Sequence, residues 1–136
     1  MGVDFSLLFR PSLRADAAQL IVSRNLAGLP RIANHQRSAV ESFIDALSPD
    51  EKVDTMVGID MLRSHGVSLG RPWVAPLGKG LWELRVRTRR QLRILYFLTT
   101  EKTFVLLHAF VKKAREVPES EIRIPTRRMR QYLGRY

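Results

Sequence analysis

The chain has 136 residues, no cysteine, and a net charge of +10 with a pI near 11.0. That length suits one domain with a modest core. The lack of cysteine excludes disulfides and thiolate zinc sites and fits a reducing cytoplasm. His35, His65 and His108 are far apart and show no metal-ligand spacing, so neither metal nor cofactor is expected. The opening residues lack a basic segment followed by a long apolar one, so no signal peptide, membrane span or membrane partner is expected.

Residues 1–37 carry the weakest signals. Leu13, Ala17, Leu20 and Ile21 share one helical face, which predicts a helix from Ser12 to about Leu26, with Gly28 and Pro30 as stops. Residues 1–28 thus read as an N-terminal extension of helical character, and 29–136 as the main domain. Next, Ser38–Glu41 has a capping-box pattern, followed by Val40, Phe43, Ile44 and Leu47 at helical spacing. Ser48-Pro49-Asp50-Glu51 repeats the device and predicts a second helix ending at His65, before Gly66. Its apolar face is expected at Val53, Met56, Val57 and Met61, widened by Ile59 and Leu62. Two helices joined so tightly form a hairpin able to cover a sheet.

Residues 66–80 are rich in Gly and Pro around Trp73 and predict an ordered loop. Gly78-Lys79-Gly80 lacks the frame of a phosphate-binding loop and precedes a strand, so a nucleotide cradle is rejected. Three strands follow, Leu81–Arg87, Leu92–Leu98 and Thr103–Val111, with connections short enough for an antiparallel meander. Alternation puts Trp82, Leu84, Val86, Leu92, Ile94, Tyr96, Leu98, Val105, Leu107 and Ala109 on one face. Glu83, Arg85, Arg93 and His108 then share the other face with Leu95, Phe97, Leu106 and Phe110. A C-terminal amphipathic helix, surest from Thr126 onward and started or kinked by Pro125, is the expected cover for those four apolar residues. The expected fold is therefore α+β, a small antiparallel sheet packed against a helical hairpin with a C-terminal helix.

Charge is unevenly spread. Residues 1–78 balance eight Lys/Arg with eight acids, whereas 79–136 hold fifteen against five. A polyanionic partner is the first expectation for such asymmetry.

The runs GLWELRV, LRILYF and VLLHAFVKK, then a Pro and an Arg-rich helix, resemble the RelE/HigB-like toxins of type II toxin–antitoxin systems, in particular their phage-derived branch. The resemblance reaches back through RSAVESFIDALSP and LGRPWVAPLG, covering roughly residues 37–133. It implies a short N-terminal edge strand near Leu29–Asn34 and a cytoplasmic endoribonuclease that cuts mRNA on the ribosome. It also implies a cognate antitoxin, of helix-turn-helix type, and is compatible with a homo-oligomer. Metal-free RNA cleavage uses the substrate 2′-hydroxyl as nucleophile and needs cations at the developing phosphate charge.

Arg93 matches the family arginine before the Leu/Val-Tyr pair and is the leading phosphate contact, against a structural ion pair with Glu83. Arg85 matches the ELR arginine and joins the expected catalytic set by positioning the RNA backbone. Lys113 or His108 could move protons, although a His inside VLLHAF also suits a core. Lys112, Arg87, Arg127 and Arg128 are the expected RNA-backbone contacts. Leu81 and Glu83 stand where the family has two lysines, and Tyr132 and Tyr136 lie well beyond its functional tyrosine. An RNA- or ribosome-binding module without chemistry is the alternative reading.

Overall fold

The computed structural model describes residues 20–24, 30–34, 39–100 and 103–134. Its strands are β1 (Leu20–Arg24), β2 (Pro30–Asn34), β3 (Val74–Gly78), β4 (Leu81–Arg87), β5 (Gln91–Leu98) and β6 (Thr103–Lys112). Its α-helices are α1 (Ala39–Asp45), α2 (Pro49–His65) and α3 (Glu119–Tyr132), with a 3₁₀ turn at Gly66–Ser68. The strands form one antiparallel sheet in the order β2-β1-β6-β5-β4-β3. The expected α+β fold, meander and edge strand are all present.

The helix expected from Ser12 to Leu26 is corrected at Leu20–Arg24, which is β1, paired between β2 and β6. The rest of that expected helix lies outside the described residues. Leu20, Ile21 and Val22 include two β-branched residues, and a waiting sheet edge outweighs a weak helical spacing. The expected loop 66–80 contains β3, an edge strand that tolerates Pro76 because only one of its sides is paired. The following turn has positive φ at Gly78, Lys79 and Gly80 (93°, 55° and 85°), a run in which two glycines avoid Cβ strain.

Helix α2 begins and ends where the sequence places it. Ser48 accepts from the Glu51 backbone while the Glu51 carboxylate accepts from the Ser48 N–H, and the Gly66 N–H caps the other end on Leu62. Its buried face differs from the expected one. Thr55, Met56, Ile59 and Leu62 are buried, whereas Val53 and Val57 are 60% and 47% exposed. Gly58 lets α2 approach the sheet closely, since a Cβ there would lie 3.3 Å from the Val86 side chain.

The hairpin side of the sheet carries the larger core, in which Val40, Ile44, Ile59 and Leu62 meet Leu84, Val86, Leu92, Ile94, Tyr96 and Leu106. Burial raises the Tyr96 phenol above its usual pKa. On the other side α3 covers Leu81, Phe97, Val105 and Leu107 with Ile122, Met129 and Tyr132. A bulge explains why Leu106 leaves the α3 side and Val105 and Leu107 join it. Leu95 pairs with His108 but Tyr96 with Leu106, so Leu107 is an extra residue that inverts the alternation. The Arg128 guanidinium donates to the Leu107 carbonyl at 2.6 Å, tying α3 to the bulge. Helix α3 starts at Glu119, before the expected start, and runs through the buried Pro125.

The β4–β5 turn is fastened to α2 by Glu51. Arg90 donates to both of its carboxylate oxygens at 2.8 and 2.9 Å, and Thr88 to one at 3.2 Å. The Arg90 hydrogen bonds hold the Glu51 carboxyl at about 2, against an ordinary 4.5. A depressed carboxylate contributes stability that is present above pH 4.5 and lost as pH falls through 2. Arg90→Ala is therefore expected to lower the melting temperature at pH 7, and the gap from wild type should close between pH 4.5 and 2. A gap independent of pH would exclude the ion pair as its cause.

Candidate RNA-cleavage site

On the α3 side of the sheet, register places Arg85 directly opposite Arg93, and Arg87, Gln91 and Lys112 in the next row. Two facing arginines repel. Glu83 resolves this by meeting both. Arg85 Nε and Nη2 donate to Glu83 Oε2 at 3.1 and 3.0 Å, and Arg93 Nε lies 3.2 Å from Oε1. The second contact lacks hydrogen-bond alignment, so both atoms are buried with unused bonding capacity. Arg93 also donates to the Leu92 carbonyl at 3.0 Å and to Gln91 Oε1 at 3.3 Å.

The two arginines differ in access. The Arg93 side chain is 7% exposed and that of Arg85 27%. Burial pulls the Arg93 guanidinium below its usual pKa, with Glu83 pulling the other way and Arg85 and Arg87 adding repulsion. It remains a cation, as arginines do in proteins. Arg85 is also among the residues that line a cavity of about 380 Å³, with Asp54, Val57, Gly58, Pro72, Trp73, Val86 and Arg87.

His108 shares this sheet face but turns toward α3. Its Nε2 lies 2.7 Å from Glu121 Oε1, and its ring stacks on Phe110 with centroids 5.6 Å apart. Leu95 separates it from Glu83 in the same cross-strand row. Lys112 is half-buried at the end of β6 and Lys113 is exposed just beyond it. Arg127 is exposed on α3, beside a second cavity of about 670 Å³ that also includes Lys79, Arg123 and Arg130. Burial lowers the Arg128 pKa, and its contact with Leu107 gives it a structural task. Tyr132 packs edge-on against Phe97, with centroids 5.6 Å apart; Tyr136 lies outside the described residues.

Thus Glu83, Arg85 and Arg93 come together, Arg87 and Lys112 flank them, and His108 stands apart with Glu121. Sequence reasoning missed Glu121, Gln91 and Asp54. Gln91 could have been found, since it sits two residues before Arg93 on one strand face. Glu121 reaches His108 only through a turn whose path no periodicity records. Among the described residues no group of three or more His, Asp or Glu converges as a metal site would.

The model of the family described as "Phage derived protein Gp49-like (DUF891)" matches residues 42–130, more than half of the chain. The chain belongs to the Gp49-like family. This family is one of RelE/HigB-like toxins, so membership implies a cognate antitoxin. The curated proteins contain no match to the chain. The Gp49-like match takes in the end of α1, all of α2, β3–β6 and most of α3, and with them every residue of the Glu83–Arg85–Arg93 cluster. Among the described residues no helix is long and apolar enough to cross a membrane.

Proposed function

We propose that this Gp49-like chain is an endoribonuclease that cleaves mRNA on the ribosome, in the cytoplasm, and is silenced by a helix-turn-helix antitoxin. The observation that carries the reading is Glu83 holding the partly exposed Arg85 beside the buried Arg93 on one face of the sheet. A guanidinium fixed along one edge keeps its remaining N–H groups aimed outward, as a phosphate contact requires. In the proposed reaction the 2′-oxygen bonds to the adjacent phosphorus and the P–O5′ bond breaks, leaving a 2′,3′-cyclic phosphate and a 5′-hydroxyl. Arg85 meets the phosphate oxygens as charge builds on them, and Arg93 adds positive potential from beneath.

His108 and Lys113 are the candidate groups for removing the 2′-proton and protonating the leaving oxygen. The Glu121 contact supports His108, because a carboxylate on one ring nitrogen fixes its orientation and tautomer. Arg87, Lys112 and Arg127 would follow the RNA backbone. Arg128 keeps α3 in place and contributes its charge at a distance.

Inducing the chain alone should arrest translation and yield mRNA fragments with 5′-hydroxyl ends; co-expressed antitoxin should restore growth. Intact messages and normal growth at high expression would sink the enzymatic reading and leave the binding module.

A further inference from the structure

The cavity beside Arg85 has a composition that phosphate contact alone does not require. The residues that line it include two arginines (Arg85, Arg87), an aspartate (Asp54), a valine (Val57) and a tryptophan (Trp73). Trp73 is 41% exposed and Val57 47%, so a large aromatic surface lies open next to charge. The position follows from the sheet. Strand β3 begins opposite Leu84, so Arg85–Arg87 run past its start and form the sheet edge there. The Trp73 carbonyl accepts the Arg85 backbone N–H at 2.8 Å, fixing the tryptophan backbone beside the arginine. At this edge Arg85 from one sheet face and Val86 from the other line the same cavity.

We propose that this cavity is a nucleobase subsite, which stacks one unpaired base of single-stranded RNA on Trp73 and favours guanine. An indole gives any base a π-face to stack on, and neighbouring guanidiniums hold the phosphates on either side of it. About 380 Å³ lies within the range of small-ligand sites. The preference comes from Asp54. A carboxylate has only acceptors to offer, and guanine alone presents two adjacent donors, N1–H and N2–H, that can satisfy both its oxygens. Uracil presents one ring N–H between two carbonyls that would face the carboxylate unfavourably. The subsite rests on the endoribonuclease reading, since Arg85 connects it to Glu83 and Arg93. It adds where the RNA chain is gripped and what is read.

Trp82 would obscure the signal of Trp73, so the test uses the full-length chain carrying Trp82→Phe. The probes are 2′-O-methyl RNA pentamers, which resist cleavage, with guanosine, uridine or an abasic sugar at the centre of a uridine context. Saturable quenching should be tightest with guanosine, weaker with uridine and weakest with the abasic pentamer. Trp73→Ala, its folding checked by circular dichroism, should weaken guanosine binding on the order of tenfold in a competition assay, and Trp73→Phe should restore part of it. Asp54→Asn should remove the preference for guanosine over uridine.

Equal quenching by guanosine and abasic pentamers would overturn the proposal, because phosphate contact alone would then explain binding. Quenching by the antitoxin but by no pentamer would also overturn it and assign the cavity to a protein partner. Cleavage on ribosomes without base-dependent quenching would remove the subsite and keep the endoribonuclease reading. Base-dependent quenching without cleavage would do the reverse.

Discussion

Arg85→Ala is expected to lower single-turnover RNA cleavage on translating ribosomes by about 10²–10³-fold, the usual loss for one preorganised donor. Its stability should stay near wild type. Arg85 is partly exposed, and its removal leaves Glu83 still paired with Arg93. The large effect follows from order already present in the free protein. Glu83 holds the Nε edge of the guanidinium, so little rearrangement remains when charge develops on the phosphate. Arg85→Lys should recover only part of the rate, because an ammonium cannot be held along one edge while donating from the other. Arg127→Ala, on the exposed face of α3, should weaken binding slightly and leave the bound rate unchanged. Equal small losses in Arg85→Ala and Arg127→Ala would show a diffuse basic surface and no phosphate contact at Arg85.

The residue pattern alone favours Arg93 for the phosphate contact proposed for Arg85. Alternation put Glu83, Arg85 and Arg93 on one face, and the register bears that out. Depth, however, is not written in alternation. That Arg93 is buried while Arg85 stays partly exposed depends on what covers the face, a tertiary matter. Helix α2 was legible in both its ends because capping is local chemistry of Ser48, Pro49, Glu51 and Gly66.

The β6 bulge was not legible. One extra residue at Leu107 carries no signature within the strand, yet it exchanges the faces of Val105 and Leu106. Strand β1 was missed for a related reason, since its backbone partners lie in β2 and β6, remote in sequence. His108 keeps the α3 side because the bulge precedes it, and its partner Glu121 arrives only with α3.

Glu83→Ala is expected to be the most destabilising change in the cluster, by about 3–5 kcal/mol, the range for removing one partner of a buried ion pair. The Glu83 side chain is 5% exposed and that of Arg93 7%, so neither charge can turn to water without moving the sheet. Without Glu83 the two facing arginines also lose the carboxylate that meets both. A Glu83→Leu/Arg93→Met double variant should regain most of the stability, since an apolar pair of similar volume often matches a buried ion pair. It should remain catalytically poor, because Arg85 has lost the group that holds it and the charge of Arg93 is gone. Urea midpoints and single-turnover rates for both variants separate the two roles. A loss below about 1 kcal/mol in Glu83→Ala would indicate that solvent already screens the pair. Recovery of the rate together with stability in the double variant would show that Glu83 supports the fold and does not position Arg85.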